Sequence, residues 1–261
     1  MHLSLLITTF NRKEALSLVL ASALRQTRLP DEILVADDGS TDGTGEMVRD
    51  MAVRTPVPIR YCWQEDQGFR AARARNLAIA ASLGEYLVMI DGDMVLESHF
   101  IADHLAFARP SCFVQGSRVL LNEKTTVRLL AGEIFPLYPW SAGLGNRKNA
   151  IRLTWLARLF FWRTMEINGI RTCNFGIWRA DALAVNGFDE EFVGWGREDS
   201  EFAARLLHKG VSRRNLRFAA LAYHLFHPGR SRASLPANDQ ILSRTMEEKR
   251  IWCANGLDRH Q

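Results

Sequence analysis

The pattern of hydrophobic and polar positions along the first hundred residues predicts strands and helices that alternate along the chain. Residues 3–7 are a continuous apolar run, typical of a strand buried on both faces. Apolar residues then recur at helical spacing over residues 16–24. Asn11 is the expected N-cap of this helix, with Glu14 as its capping-box partner. Pro30 is expected to end the segment.

The same order continues further along the chain. Residues 33–36 and 59–63 are predicted strands, and residues 70–82 form a predicted alanine-rich helix. A fourth apolar run at residues 86–90 leads directly into Asp91-Gly92-Asp93. This alternation predicts an α/β fold with a Rossmann-like, mostly parallel sheet and helices on both faces, in a single domain.

Polar residues follow three of these strands where each strand ends. They are Thr8, Thr9, Phe10, Asn11 and Arg12 after the first strand, Asp37 and Asp38 after the second, and Asp91 and Asp93 after the fourth. Open α/β sheets bind ligands at the carboxyl ends of their strands. The sequence therefore predicts a polar pocket at this edge of the sheet.

The pattern loosens in the second half of the chain. Residues 132–149 are rich in proline and glycine and are predicted to form a loop. Residues 151–164 combine aromatic side chains with arginines, a stripe that usually packs on a core. An interfacial helix at a membrane is the alternative. From about residue 230 the chain is polar and is predicted to form a tail.

Composition narrows the classes of function. The 261 residues include 33 basic and 29 acidic side chains, and the net charge of +4 comes without a continuous basic run, so a nucleic-acid partner is not expected. Four widely spaced cysteines lack CxxC spacing, which argues against a zinc or redox motif and favours a reduced, cytosolic protein. No apolar window reaches the length of a spanning helix.

Asp91-Gly92-Asp93 is a candidate cation site. Hard divalent cations such as Mg²⁺ often bind one or two carboxylates together with substrate phosphates. The same motif alone is more often a solvated turn. His224 and His227 can add imidazole ligands, and imidazole with carboxylate suits Mn²⁺. Two ordinary histidines, one packed and one exposed, are the alternative.

Two further segments carry candidate chemistry. In residues 194–199 the indole of Trp195 can stack on a sugar ring, and a following carboxylate can accept a proton from an attacking hydroxyl. The acidic residues there also suit a helix start. In residues 67–76 a glycine precedes an arginine-rich helix start, where free N–H groups bind anions. Gly68, Arg70 and Asn76 are the candidates in that segment.

Taken in order, these motifs resemble those of the family 2 glycosyltransferases over roughly residues 3–228. Residues 187–199 resemble the galactosyltransferase and chondroitin-polymerase branch, although Arg197 stands where that branch often has a small residue. The resemblance implies an A-type glycosyltransferase fold. It also implies inverting transfer of a hexose or N-acetylhexosamine from a UDP-sugar to a hydroxyl of a glycan or lipid-linked glycan. Bacterial surface polysaccharide or lipopolysaccharide synthesis is the implied setting.

The resemblance also implies roles for single residues. Asp199 is the implied catalytic base. The implied ligands of the metal, Mn²⁺ or Mg²⁺, are Asp93 and His227. Asp91 is expected beside the metal, and His224 is a substitute ligand. The implied donor-binding residues are Thr8, Phe10, Asn11, Arg12, Asp38, Gly68, Arg70, Asn76, Asp91 and Gly92. The implied acceptor-side residues are Trp195, Gly196, Glu198 and Asn174.

These roles divide the domain. Residues 1–108 are expected to form the half that binds the nucleotide-sugar, residues 109–230 the half that binds the acceptor and carries the base, and residues 231–261 the polar tail. Two other functions remain compatible with the motifs: a nucleotidyltransferase acting on sugar phosphates and a non-catalytic nucleotide-sugar-binding module. The expected location is the cytoplasm, with peripheral contact on the inner face of the cytoplasmic membrane left open.

Overall fold

The computed structural model describes residues 1–229 and 231–261. Arg230, at the expected boundary between the catalytic half and the tail, lies outside the described residues. The strands are β1 (Leu3–Thr9), β2 (Glu32–Asp37), β3 (Ile59–Trp63), β4 (Tyr86–Asp91), β5 (Met94–Leu96), β6 (Cys112–Gln115), β7 (Val119–Leu121), β8 (Leu144–Gly145), β9 (Arg163–Thr164), β10 (Asn174–Trp178), β11 (Ser212–Asn215) and β12 (Ala222–His224).

Helices follow or cover most of these strands. They are α1 (Lys13–Ala23), α2 (Thr44–Ala52), α3 (Ala71–Ala81), α4 (Phe100–Phe107), α5 (Glu123–Leu130), α6 (Thr154–Leu159), α7 (Arg179–Leu183), α8 (Glu198–His208) and α9 (Leu235–Glu247), with short 3-10 helices at Arg147–Ala150 and Leu257–His260.

The main sheet has the strand order β3-β2-β1-β4-β10-β6-β11-β9. The first four strands are parallel, β10 runs antiparallel between β4 and β6, and β11 is parallel to β6. A smaller sheet has the order β5-β12-β7-β8. The mostly parallel sheet predicted from the sequence is confirmed.

Side chains of the central strands alternate between two apolar layers. Leu5 and Ile7 of β1 pack in one layer with residues of α1, α2 and α4, while Leu6 packs in the other with residues of α3 and α8. Each central strand is therefore buried on both faces, which explains why its sequence is a continuous apolar run. The helices lie on both faces of the sheet, as predicted.

The start of α1 differs from the prediction. Asn11 is not the N-cap, because α1 begins after Arg12 and has no side-chain cap. Asn11 instead adopts the left-handed backbone region at φ 46°, where asparagine is among the residues that tolerate it. Its Oδ1 accepts a hydrogen bond from the Thr41 amide, and its own amide donates to the Ser40 hydroxyl. Asn11 therefore joins the loops that follow β1 and β2.

Residues 151–164 do not form one core-packed stripe. They contain only the six-residue α6, followed by the short edge strand β9. Ala157 is buried and Phe161 packs partly against the core, whereas Trp155 is 64% and Leu159 72% exposed. A helix of this length cannot present an apolar stripe to the core, so most of its large side chains face solvent.

Residues 231–261 were expected to be a polar tail but are largely packed onto the domain. α9 lies against α8, and Leu257 is buried in the core layer that includes α3 and α8. Asn238 of α9 is buried, and its Nδ2 donates to the carbonyl oxygens of Gly196 and Val193. The segment is polar because α9 buries only one narrow face.

We expect Asn238→Ala to lower the free energy of unfolding by about 1–3 kcal/mol, because it leaves the buried Gly196 carbonyl without its partner. Urea denaturation measures this loss. Gln240→Ala, at an exposed position of the same helix, is the matched control and is expected to change stability by less than about 0.5 kcal/mol. Equal losses in the two variants would show that α9 does not depend on this contact.

No helix in the described ranges is both long and apolar enough to cross a membrane. The four cysteines are free thiols.

Candidate active site

A cleft of about 590 Å³ opens at the carboxyl ends of β1, β2 and β4, the edge at which the sequence predicts a pocket. The N-terminus of α8 and the segment after β12 form its opposite side. The predicted site residues that line it are Thr8, Phe10, Arg12, Asp38, Asp91, Gly92, Asp93, Trp195, Gly196, Glu198, Asp199, His224 and His227.

Gly92 allows the turn after β4 to lie against the end of β1. Its amide donates to the Thr8 carbonyl at 2.7 Å. A Cβ at this position would lie 3.0 Å from the Thr9 hydroxyl oxygen and 3.1 Å from the Thr8 carbonyl oxygen. The glycine therefore places the carboxylates on either side of it at the floor of the cleft.

The remaining predicted site residues do not line the cleft. Gly68 and Arg70 lie in the loop before α3, where the Arg70 amide donates to Asp38 Oδ2 at 2.8 Å. Asn11 joins two loops as described above. Asn76 is fully buried, and its side chain bonds both the amide and the carbonyl of Phe188.

Asn174, expected on the acceptor side, is a buried structural residue. Its Oδ1 lies 2.9 Å from His104 Nε2, and its Nδ2 donates to the carbonyl oxygens of Ser117 and Ala220. It is 0% exposed. Its side chain is turned away from the cleft because β10 presents it to the loops that carry these partners.

Among the residues that the structure describes, Asp93, His224 and His227 form a cluster that could hold a metal ion. Strand β12 pairs antiparallel with β5 so that His224 lies opposite Met94, next to Asp93. Asp93 Oδ1 lies 3.6 Å from His224 Nε2, and Asp93 Oδ2 lies 3.3 Å from His227 Nε2. The three potential ligand atoms, one from each residue, all lie within 4.8 Å of one another.

The donor atoms of this cluster fit a divalent cation. Asp93 Oδ1 is buried and without a hydrogen-bond partner in the described structure. Burial lowers the pKa of His224 to about 4 despite the opposing charge of Asp93, so this imidazole is neutral at pH 7. His227 Nδ1 lies 2.7 Å from the Pro228 carbonyl. With a proton on Nδ1, the lone pair of His227 Nε2 faces the Asp93 carboxylate. A cation between them would satisfy both of these acceptors.

Arg12 competes for the same carboxylate. Its guanidinium lies 2.8 Å from Asp93 Oδ2 and is only partly exposed. A cation bound by Asp93 would therefore share this oxygen with Arg12 or displace it. The predicted donor-binding residue is thus also a counter-ion at the candidate metal site.

Arg75 joins the two sides of the cleft, and it was absent from the predicted site. Its buried guanidinium lies 3.7 Å from Asp91, 3.4 Å from Glu198 and 3.1 Å from Asp199. Although burial lowers the pKa of Arg75, these carboxylates raise it overall. A signal was present in the sequence: Arg75 stands on the alanine face of α3, where a charged residue requires a buried partner.

Asp199 is held in place at the start of α8. Its Oδ2 accepts the Thr172 amide at 3.0 Å, and its Oδ1 accepts the Thr172 hydroxyl at 2.7 Å together with Arg75. Its side chain keeps 21% of its surface exposed toward the cleft.

The pKa values of two neighbouring carboxyls are raised. Burial, followed by repulsion from Asp199, raises the pKa of Glu198 to about 7 against the lowering effect of Arg75. Partial desolvation at the cleft floor, where Asp91 keeps 36% of its side chain exposed, and then repulsion from Asp93 raise the pKa of Asp91 to about 7. Carboxyl groups with such pKa values in a cleft are typical of functional sites.

The raised pKa of Glu198 predicts a pH-dependent stability. Because this pKa lies above the ordinary 4.5, the folded protein binds more protons than the unfolded chain between pH 4.5 and about 7. The free energy of unfolding therefore falls as pH rises through this window. We expect Glu198→Gln to be more stable than the parent by about 1–3 kcal/mol at about pH 8, with little difference near pH 4.5.

Urea denaturation across this pH range tests the expectation. Glu46→Gln, on the exposed surface of α2, is the matched control. A Glu198→Gln variant whose stability runs parallel to that of the parent at every pH would contradict the burial argument.

The loop carrying Trp195 is shaped by left-handed residues. Gly194, Gly196 and Arg197 have φ values of 78°, 109° and 79°. A Cβ on Gly194 would collide with the Ser234 side chain, so this glycine allows the loop to approach the residues before α9. Arg232 lies 5.7 Å from the centre of the Trp195 ring. Trp195 keeps 39% of its surface exposed at the cleft.

Comparison with known proteins identifies the family. Residues 4–167, more than half of the chain, match the profile of glycosyl transferase family 2. The chain belongs to this family. Residues 158–228 also match the profile described as the N-terminal domain of galactosyltransferase. Both matches agree with the resemblance found in the sequence motifs.

Among curated relatives of this family 2 chain, chondroitin synthase of Escherichia coli is 29% identical over 248 residues. The alignment covers 87% of this chain and 35% of the synthase. The chain spans between about a third and a half of the first curated relatives that it matches.

Solved structures share the fold. S. aureus TarS (residues 1–349, in complex with UDP-GlcNAc) superposes with a TM-score of 0.66 at 17% identity, covering 94% of this chain and 66% of that one. The mannosyltransferase PcManGT from Pyrobaculum calidifontis (in complex with GDP-Man and Mn²⁺) gives a TM-score of 0.60 at 18% identity, covering 95% and 63%. The A-type glycosyltransferase fold predicted from the sequence is confirmed.

Proposed function

We propose that this chain is an inverting glycosyltransferase that moves a hexose or N-acetylhexosamine from a UDP-sugar to a hydroxyl of a glycan acceptor. One observation carries the proposal: a single cleft holds a candidate cation site on one side and a positioned carboxylate on the other. Asp93 with the two histidines forms the first, and Asp199 forms the second. Membership of family 2 supports the reaction class.

The nucleotide is proposed to bind at the ends of β1 and β2. Thr8, Phe10 and Asp38 line this part of the cleft. Asp38 is buried, and Gln64 Nε2 and the Arg70 amide fix its two oxygens. The choice of UDP is supported by the complex of the structurally similar TarS with UDP-GlcNAc.

The departing diphosphate is proposed to lie near Asp91 and Asp93. A divalent cation, Mn²⁺ or Mg²⁺, held by Asp93 and His227 with His224 adjacent, would neutralise charge on the leaving group. Arg12 would add a second positive charge at the same place. The Mn²⁺ in the complex of PcManGT supports a metal in this fold.

The acceptor hydroxyl is proposed to lie between Trp195 and Asp199. Asp199 removes its proton as the oxygen attacks the anomeric carbon, and Thr172 with Arg75 fixes the orientation of the carboxylate. Gly196 and Glu198 line the same side of the cleft. Attack from the face opposite the leaving diphosphate inverts the anomeric configuration.

Incubation with a panel of UDP-sugars and Mn²⁺ tests the proposal. Slow release of UDP from one or two of them is expected without acceptor, with faster release when glycan acceptors are added. A nucleotidyltransferase would instead exchange radiolabelled pyrophosphate into the nucleotide, and a non-catalytic binding module would bind the nucleotide-sugar without release.

A further inference from the structure

A second cavity adjoins the cleft at the same edge of the sheet. It has a volume of about 360 Å³ and lies at the carboxyl ends of β6 and β11. The loop that contains Gly169, Arg171 and Cys173 lines both this cavity and the cleft, as does Arg118. The same loop carries Thr172, which bonds Asp199. The second cavity is therefore separated from the candidate base by one short loop.

The charged side chains that line this cavity are all basic. Its lining includes Arg118, Lys148, Arg171, Arg213 and Arg217, whereas no aspartate or glutamate among the described residues lines it. None of these five cations forms an ion pair within 4.0 Å in the described ranges of the chain. The chain as a whole has nearly balanced charge, so this accumulation is local.

Arg213 is the informative member of the group. It is only 8% exposed, and its Nη1 donates to the carbonyl oxygens of Glu166 and Asn168. Its Nε has no partner in the described structure. Burial lowers the pKa of Arg213, with a smaller opposing effect of Glu166. A buried cation without a carboxylate is costly, and an anion bound in the cavity would offset that cost.

The other lining residues suit a sugar. Trp162 exposes 43% of its surface, and the side chains of Asn146, Asn149 and Asn215 add amide donors and acceptors. An aromatic face beside amides and guanidinium groups is a combination that contacts both a pyranose ring and its acidic substituent.

We propose that the second cavity is a subsite for an acidic sugar of the acceptor, so that the enzyme extends an anionic glycan. The cations would bind a carboxylate or phosphate on a sugar unit near the one whose hydroxyl reaches Asp199. This rests on the proposed function, because it names the acceptor class for that reaction. The neutral residues would contact the same sugar unit, and the cations would give the preference for acidic over neutral glycans.

Calorimetric titration of the full chain with Mn²⁺ and UDP tests this subsite. The carboxylate probe is a tetrasaccharide of alternating glucuronic acid and N-acetylglucosamine, compared with its carboxyl-reduced neutral form. The phosphate probe is maltotetraose bearing one 6-phosphate, compared with plain maltotetraose. We expect one acidic probe to bind roughly tenfold or more tightly than its neutral partner, with the preference weakening at high salt. The pair that shows it identifies the acidic group.

The variant for this test is Lys148→Gln with Arg217→Gln, because neither residue lines the cleft. It should lose roughly tenfold in affinity for the acidic probe and keep its affinity for the neutral one. Arg49→Gln with Arg54→Gln removes the same charge from the exposed surface of the α2 segment, beside the opposite edge strand β3, and should leave both affinities unchanged.

Equal affinities for acidic and neutral probes in both pairs would overturn the proposal, and so would an equal loss in the α2 control. Titration with UDP alone and UDP release from UDP-sugars are measured on the same samples. Failure of those two measurements would count against the proposed function, whereas failure of the acidic preference alone would count only against the subsite.

Discussion

Asp199→Asn is expected to lower kcat by about 10²–10⁴-fold, because it removes the group proposed to accept the proton of the attacking hydroxyl. Affinity for UDP should change little, since Asp199 lies across the cleft from the candidate cation site. Asn can still accept the Thr172 amide hydrogen bond, so the loop should keep its position. Steady-state transfer and UDP titration, measured together, separate these effects.

Two comparisons make this result specific. Asp50→Asn makes the same chemical change on the exposed surface of α2 and should leave kcat unchanged. Glu198→Gln tests the neighbouring carboxyl, whose raised pKa also suits a general base. If Glu198→Gln abolished turnover while Asp199→Asn kept it, the base would be Glu198 and not Asp199.

Asp93→Asn is expected to lower the affinity for Mn²⁺ by more than about 100-fold, because loss of a supporting residue alone typically costs 10–100-fold and Asp93 is the only carboxylate in the cluster. The substitution keeps the shape of the side chain but removes its charge. It also leaves Arg12 without its counter-ion. Electron paramagnetic resonance of free Mn²⁺ measures binding without any need for turnover.

His227→Gln and His224→Gln, measured in the same way, distinguish the two imidazoles. The orientation of the His227 ring, with Nδ1 against the Pro228 carbonyl, favours a larger loss for His227. Asp50→Asn again serves as the control. Mn²⁺ affinity that is unchanged in Asp93→Asn would show that this cluster does not hold the metal.

The parallel half of the fold could be predicted because a strand that is buried on both faces appears in the sequence as a continuous apolar run. β1, β2 and β4 are buried along almost their whole length, and β4 ends directly at Asp91 as expected. The topology of a parallel sheet then brings separate strand ends to one edge. That rule predicts that Thr8, Asp38 and Asp91 lie together, and all three line the cleft.

Other features depend on contacts between distant segments, which local sequence patterns do not predict. Asn76 and Asn174 stand within motifs that indicate function, yet both are buried and bond backbone groups from distant loops. The packing of α9 depends on one narrow face that the polar composition hides. The second sheet, which places His224 beside Asp93, is made of strands too short to show a hydrophobic period.

Arg75 is a residue whose burial the sequence indicates but whose partners it does not. Its three carboxylate partners come from β4 and α8, more than a hundred residues apart in the chain. A charged residue on the apolar face of α3 indicated a buried partner without indicating which one. Only the fold brings Asp91 and Asp199 to the same guanidinium.

The most direct test of the account is a crystal structure of the chain with Mn²⁺ and the UDP-sugar identified by the release assay. We expect an anomalous Mn²⁺ peak between Asp93 and His227 and diphosphate density beside Asp91. We also expect the anomeric carbon to present its free face to Asp199. Diphosphate density away from Asp93, or an anomeric carbon whose free face is turned away from Asp199, would contradict it.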